Sequence, residues 1–224
     1  MIFKLFNYLY KKDFYFLYVP LYTLYKFITE YKEIQLLRRY IKENDVVVDA
    51  GANIGFYSLI FSKLVGKNGL VICFEPDLKN FNLLVKRTKK YPNILCINAA
   101  LSEYSGNLDF YLSEDLNVDH RSYPINESRE KISVKSYSLD EFLKERDLFK
   151  VNFIKTDLQG YDPIAIRGMK QTIQNNPDIK IYCEFWPYGM KQAGIHPQNW
   201  LEEMKEMGLQ TNFLWNNSQK KTLL

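Results

Sequence analysis

The chain predicts an α/β fold: a Rossmann-like, doubly wound and mostly parallel sheet with an N-terminal helical appendage. Three observations lead there. The β-branched run Val46-Val47-Val48 ends in a carboxylate at Asp49 and a glycine-bearing turn, Gly51-Ala52-Asn53-Ile54-Gly55, before helical spacing begins at Phe56. A second short apolar run, Leu70 to Phe74, ends in Glu75-Pro76. Downstream, further apolar runs alternate with helical patterns, as parallel strands joined by crossover helices require.

The elements follow in order, beginning with residues 1–44 as an appendage to a main domain over 45–224. A length of 224 residues is enough to bury one substantial core. The formal charge of +4 is unevenly placed: residues 1–44 hold eight Lys and Arg against four acids, and residues 45–224 hold 22 of each. The segment is also aromatic, and Phe3, Phe6, Tyr10, Phe14, Leu17, Leu21, Leu24, Ile28 and Tyr31 step by threes and fours like one face of a helix. Pro20 is expected to divide it into two helices. Lys11, Lys12 and Asp13 interrupt the apolar stretch, which argues against a secretory signal. Only twelve uncharged residues, one of them proline, separate Asp13 from Lys26, against about 20 needed to span a bilayer. Two readings stay open: helices packed over the main domain, or a basic aromatic surface touching an anionic membrane at its inner face.

In the main domain, strands are expected near 46–50, 70–74, 94–98, 151–156, 179–185 and 209–215. Between the third and fourth, Leu108 to Leu112 and Ile132 to Tyr137 alternate like strands, and the polar segment from Ser113 to Lys131 is expected to be an acceptor-binding loop. Asp140 to Arg146 reads as a short helix. Asp162 to Asn175 reads as a longer one, with Pro163 in its first turn. Cys73, Cys96 and Cys183 each lie in an apolar run without C-x-x-C spacing, so they are expected to be free thiols of a reducing cytoplasm.

The first turn carries the functional signal. A dinucleotide site uses G-x-G-x-x-G so that a pyrophosphate can approach the helix N-terminus. Here the pattern is D-x-G-x-N-x-G, with Ala52 and Asn53 crowding that approach and Asp49 just before the turn. S-adenosylmethionine has no phosphate, but it has cationic groups that a carboxylate attracts, so the loop favours it over NAD. Glu75, ending the second strand, is placed to accept hydrogen bonds from both hydroxyls of an adenosine ribose. The competing reading makes Asp49 a helix cap and the glycines a plain turn.

On these residues the chain resembles the FkbM-type methyltransferases. The motifs run in order: V-D-A-G-A-N-I-G-F-Y-S at 48–58, F-E-P-D at 74–77, N-A-A-L-S at 98–102 with Gly106 beyond, S-L-D-E-F at 138–142, and I-K-T-D-L-Q-G-Y-D at 154–162 followed by R-G-M. The resemblance covers about Val46 to Trp186. It implies an S-adenosylmethionine-dependent enzyme that methylates a hydroxyl of a sugar, glycan or related metabolite. The cofactor contacts then expected are Asp49, Gly51, Ala52, Asn53, Gly55, Glu75, Pro76 and Ala100. One departure stands out: Gln159 occupies a position where the family commonly has an acid, and an amide neither takes a proton nor holds a metal ion as a carboxylate does.

A sugar hydroxyl needs a general base as its oxygen attacks. Asp157 and Glu184 at strand ends, and His120 in the long loop, are the candidate catalytic residues, with Trp186 and Tyr188 available to stack on a sugar face. His196, before Pro197, reads as a helix-start residue. No metal site is predicted, since hard cations want several oxygen ligands. A nucleic-acid methyltransferase is disfavoured because the main domain's charge is balanced instead of forming a basic stripe. An NAD-binding oxidoreductase is disfavoured by the loop. A domain that only binds cofactor remains the non-enzymatic alternative.

Overall fold

A computed structural model describes residues 2–113, 119–124, 129–215 and 221–223. Three helices come first: α1 (Ile2–Lys11), α2 (Tyr15–Thr29) and α3 (Tyr31–Tyr40). Then follow β1 (Val46–Ala50), α4 (Phe56–Val65), β2 (Leu70–Phe74), α5 (Leu78–Thr88) and β3 (Ile94–Ile97). A small addition comprises β4 (Ala100–Leu101), β5 (Gly106–Leu112) and β6 (Glu130–Tyr137). The chain continues through α6 (Leu139–Lys144), β7 (Phe153–Thr156), α7 (Asp162–Arg167), α8 (Lys170–Asn175) and β8 (Lys180–Phe185). It closes with α9 (Pro187–Gln192), α10 (Pro197–Glu206), β9 (Phe213–Trp215) and β10 (Lys221–Leu223).

The main sheet has the order β3-β2-β1-β7-β8-β10-β9, and β4-β6-β5 forms a separate three-stranded sheet. From β3 to β8 every pairing is parallel. Side chains alternate across the strands, so neighbours serve opposite layers. Val47, Val71 and Phe153 face the cluster containing Ile34, Leu37 and Phe61, whereas Val48, Ile72 and Ile154 face the one containing Phe142, Ile166 and Trp200. Burial on both faces is why these strands read as continuous apolar runs.

Three expectations need correction. Helix α2 runs unbroken through Pro20, and the first break falls at Lys12–Phe14, where Asp13 has φ +57°. A proline removes one amide donor from the helix, here the partner of the Phe16 carbonyl, and Phe16 is exposed, so water can replace it. The aromatic packing of α1 on α2 holds both sides of the proline in register. The second correction concerns 162–175, which is two short helices and not one. Gly168 breaks it by close approach: a Cβ there would lie 2.2 Å from the Ser102 carbonyl oxygen. The Gly168 carbonyl turns outward to accept from the Asp140 amide and the Ser138 hydroxyl, each at 3.0 Å. Third, the strand expected over 209–215 begins only at Phe213, and β10 inserts between it and β8 in antiparallel pairing.

Helices α1 and α2 form an antiparallel hairpin, shown by the successive ring pairs Phe3–Tyr25, Phe6–Tyr22 and Tyr10–Tyr18. Their inner face packs on Ile54 and Leu83. The Tyr10 hydroxyl donates to Asn80 Oδ1 at 2.8 Å, and Arg87 bridges the Ile54 carbonyl and the Thr23 hydroxyl at 2.7 and 3.1 Å. The appendage thus rests beside the β1–α4 turn. Among the described residues no helix is long and apolar enough to cross a membrane.

Candidate active site

The strand order reverses between β1 and β7, because the chain leaves β1 for β2 and β3 on one side and later returns to β7 and β8 on the other. Ligands of doubly wound sheets bind beyond the carboxyl ends of the strands at such a reversal. Gly51 sits at this point with φ +76°, and a Cβ there would lie 2.4 Å from the Asp157 carbonyl oxygen. Only glycine fits both constraints. The turn is fixed by the Gly51 and Ala52 amides, which both donate to the Phe74 carbonyl at 3.0 Å. Asn53, at φ +50°, accepts from the Ile54 amide at 2.8 Å, and Gly55 opens α4 at φ +81°.

Glu75 lies next to this turn and is buried. Its Oε2 accepts from the Asn53 amide at 2.7 Å, and its Oε1 accepts from the Asp77 amide at 3.0 Å. Burial, reinforced by the negative charge of Asp77, pushes its pKa up to about 8. Each carboxylate oxygen retains a second lone pair, which suits a ligand that offers two hydroxyl donors. Pro76 joins Glu75 to Asp77, whose Oδ1 caps α5 by accepting from the Asn80 amide at 2.7 Å. Sequence reasoning overlooked Asn98, whose Nδ2 donates to the carbonyls of Glu75 and Pro76 at 2.9 and 3.1 Å. Ala100 lies in the small sheet, where its side chain packs with Phe110 and Val134.

Asp49 does not present an open carboxylate. It is fully buried: Oδ2 accepts from the Ser58 hydroxyl at 2.7 Å, and Oδ1 lies 3.7 Å from Nζ of Lys155. Burial raises its pKa and the Lys155 charge opposes that rise. Lys155 was not anticipated. It is itself buried, with Nζ 3.8 Å from Oδ2 of Asp157 and 5.0 Å from the centre of the Tyr57 ring. The expected attraction of Asp49 for a ligand cation is therefore met by a cation from the protein. The available signal was a single lysine inside Phe153–Thr156, a strand otherwise free of charge.

Asp157 is half-buried, and its Oδ1 accepts from Gln159 Nε2 at 3.0 Å. Gln159 adopts φ +54°, an uncommon conformation for a side-chain-bearing residue, and its carbonyl accepts from the Tyr123 hydroxyl at 2.6 Å. The described middle of the long loop, residues 119–124, is therefore tied to the β7 turn through Tyr123. Glu184, buried on β8, adds its negative charge to the surroundings of the Tyr123 hydroxyl. The Arg121 guanidinium lies 5.1 Å from the Trp186 ring centre and ion-pairs with Asp119, and Tyr188 is exposed 5.7 Å from Trp186. Residues 114–118 and 125–128 of the expected acceptor loop lie outside the described residues.

His120 is differently placed. Its Nδ1 accepts from the Ser113 amide at 2.9 Å, its ring lies 5.8 Å from Phe110, and burial holds its pKa below the usual value. A neutral imidazole that accepts at Nδ1 carries its proton on Nε2, so the remaining nitrogen is a donor and not a base. Asp162 is buried as well; it accepts from the Leu158 amide at 3.3 Å, and burial raises its pKa to about 6. Among the described residues no three His, Cys, Asp or Glu side chains gather as a metal site. All three cysteines are free thiols, and His196 precedes α10 without a side-chain capping bond.

The family model described as the methyltransferase FkbM domain matches residues 49–210. The hexuronic acid methyltransferase AglP of Haloferax volcanii is 26% identical over 180 residues, which cover 80% of this chain and 69% of that protein. The 2-O-methyltransferase NoeI of Sinorhizobium fredii is 28% identical over 160 residues, 64% of each chain. The crystal structure of methyltransferase FkbM from Methylobacillus flagellatus KT superposes with a TM-score of 0.50 at 16% identity, covering 81% of this chain and 44% of that one. The chain thus spans less than half of that solved structure's length and about two thirds of the two curated relatives.

Proposed function

The chain belongs to the FkbM methyltransferase domain family, and from that premise we propose that it methylates a hydroxyl of a sugar, glycan or related metabolite. It is an S-adenosylmethionine-dependent methyltransferase. Bound at the β1–α4 turn, S-adenosylmethionine supplies a methyl group already activated by its sulfonium. The turn and Glu75 fit its adenosine: a buried carboxylate with lone pairs to spare suits the two ribose hydroxyls. The hydroxyl reading rests on the similarity to AglP and NoeI, whose names specify a hexuronic acid and a 2-O position.

Asp157 is the general base of this proposal, and the observation that carries it is its place beside Gly51 at the strand-order reversal, with Oδ2 facing Lys155. The acceptor hydroxyl would give its proton to the Asp157 carboxylate as its oxygen takes the methyl group, the C–S bond of the sulfonium breaking to leave S-adenosylhomocysteine. Lys155 lies 3.8 Å from that carboxylate and 3.7 Å from Asp49, so it links the two acids. Gln159 fixes the rotamer of Asp157 through Oδ1, a role an amide can fill. Tyr123 and Glu184 border the same turn, and the exposed Tyr188 beside Trp186 offers a ring face to a sugar.

The test is transfer of isotopic methyl from S-adenosylmethionine to a panel of hexuronic acids, nucleotide sugars and hexuronate-containing glycans, with the methylated oxygen located by NMR. Labelling of a sugar hydroxyl by the wild type and its loss in Asp157→Asn supports the reading. Label appearing on nitrogen, or only on nucleic acid, overturns it.

A further inference from the structure

We propose that the outer face of the α1–α2 hairpin docks on an anionic lipid bilayer surface. The hairpin has one face committed inward and one left bare. Tyr18 and Tyr22 of α2 are buried against the domain, whereas Phe16, Leu21, Leu24 and Ile28 on the other side are exposed, at 74, 43, 58 and 70%. A contiguous apolar stripe on a 15-residue helix is larger than a scatter of surface hydrophobes, and such patches mark interaction surfaces. At the hairpin tip, Tyr8, Phe14 and Phe16 form an exposed aromatic chain with ring separations of 6.4 Å. Lys11 and Lys12 stand exposed at that tip.

Charge complementarity selects the occupant. Residues 1–44 carry the chain's whole excess of +4. Of their four acids, Asp13 pairs with Lys79 of the main domain and Glu30 with Lys26 of the segment itself, while Lys4, Lys11, Lys12 and Lys32 face solvent. A second copy of the chain would bring two segments of the same sign together. Anionic headgroups complement them, and aromatic side chains settle at the headgroup boundary with their apolar bodies buried. No helix among the described residues is long and apolar enough to span, so the contact is one of lying on the surface.

Vesicle sedimentation tests the proposal, with the full chain and vesicles of phosphatidylcholine alone or mixed with phosphatidylglycerol. The wild type is expected to pellet with the mixed vesicles at low salt and to be released as salt rises, since screening shortens to about 8 Å at physiological ionic strength. Phe16→Ser/Leu24→Ser/Ile28→Ser, all exposed positions, should bind at least about tenfold more weakly with an unchanged circular dichroism spectrum. Lys11→Gln/Lys12→Gln should weaken binding and flatten its salt dependence. The proposal fails if the wild type stays in the supernatant, or if the folded triple-serine variant binds as tightly as the wild type. It also fails if sedimentation velocity shows a dimer that the triple-serine variant abolishes while vesicles bind neither form.

Discussion

Lys155 reaches from β7 to Asp49 on β1, its Nζ 3.7 Å from Oδ1, with both side chains buried. Removing one member of such a pair leaves the other charged in a low-dielectric interior, which typically costs about 3–5 kcal/mol. Lys155→Met should therefore lower the unfolding free energy by that amount in urea titrations. Asp49→Asn combined with Lys155→Met should recover a large part of it, because no charge is then stranded. If the double variant is as unstable as the sum of the single ones, the two residues are not coupled.

Glu75 should set both the strength and the pH dependence of cofactor binding. Glu75→Ala removes two charged hydrogen bonds and should weaken S-adenosylmethionine by about 2–3 kcal/mol in calorimetric titration. In the free protein burial and Asp77 hold its pKa up at about 8, and a carboxylate accepts the hydroxyls better than a carboxylic acid. Affinity should thus rise about tenfold from pH 7 to pH 9, and Glu75→Gln should abolish that rise. Stability runs the other way: a raised folded pKa gives stability that is complete below the unfolded carboxyl value and lost as pH climbs through about 8. Flat affinity across this range would show that Glu75 does not meet the ribose.

Gly51→Val should fail at two levels. It puts a branched side chain at φ +76° and a Cβ 2.4 Å from the Asp157 carbonyl oxygen, so backbone strain of about 1–3 kcal/mol adds to steric overlap. Thermal denaturation should show a lower midpoint, and cofactor binding should be lost. A variant that melts and binds like the wild type would remove this turn from the site.

Asp157→Asn should slow methyl transfer by about a hundredfold to ten-thousandfold while leaving cofactor affinity nearly intact. His120→Ala should retain most of the turnover, since the Ser113 amide occupies the nitrogen that a base would need. Glu184→Gln is expected to act on the Michaelis constant for the acceptor more than on the turnover number. Steady-state kinetics on an identified sugar acceptor distinguishes the three outcomes, and an inactive His120→Ala beside an active Asp157→Asn would reverse the assignment of the base.

The sequence alone determined that β1 ends in a glycine turn, that β2 ends in Glu75, and that the strands between them and β8 form a mostly parallel sheet. These features are local: an apolar run, a residue free to take positive φ, and a carboxylate one step beyond a strand are each legible within ten residues. Only the tertiary structure decided what depends on distant partners. Lys155 meets Asp49, 106 positions earlier in the chain, because β1 pairs with β7 in a particular register. The helix continues through Pro20 because rings on α1 pack beside it, and the helix expected over 162–175 breaks because Ser102 approaches Gly168. His120 is a donor because the Ser113 amide turns toward it. Periodicity records which face of an element is buried, but the identity of the group that faces each buried charge is set by register and packing, and these exist only once the sheet has closed.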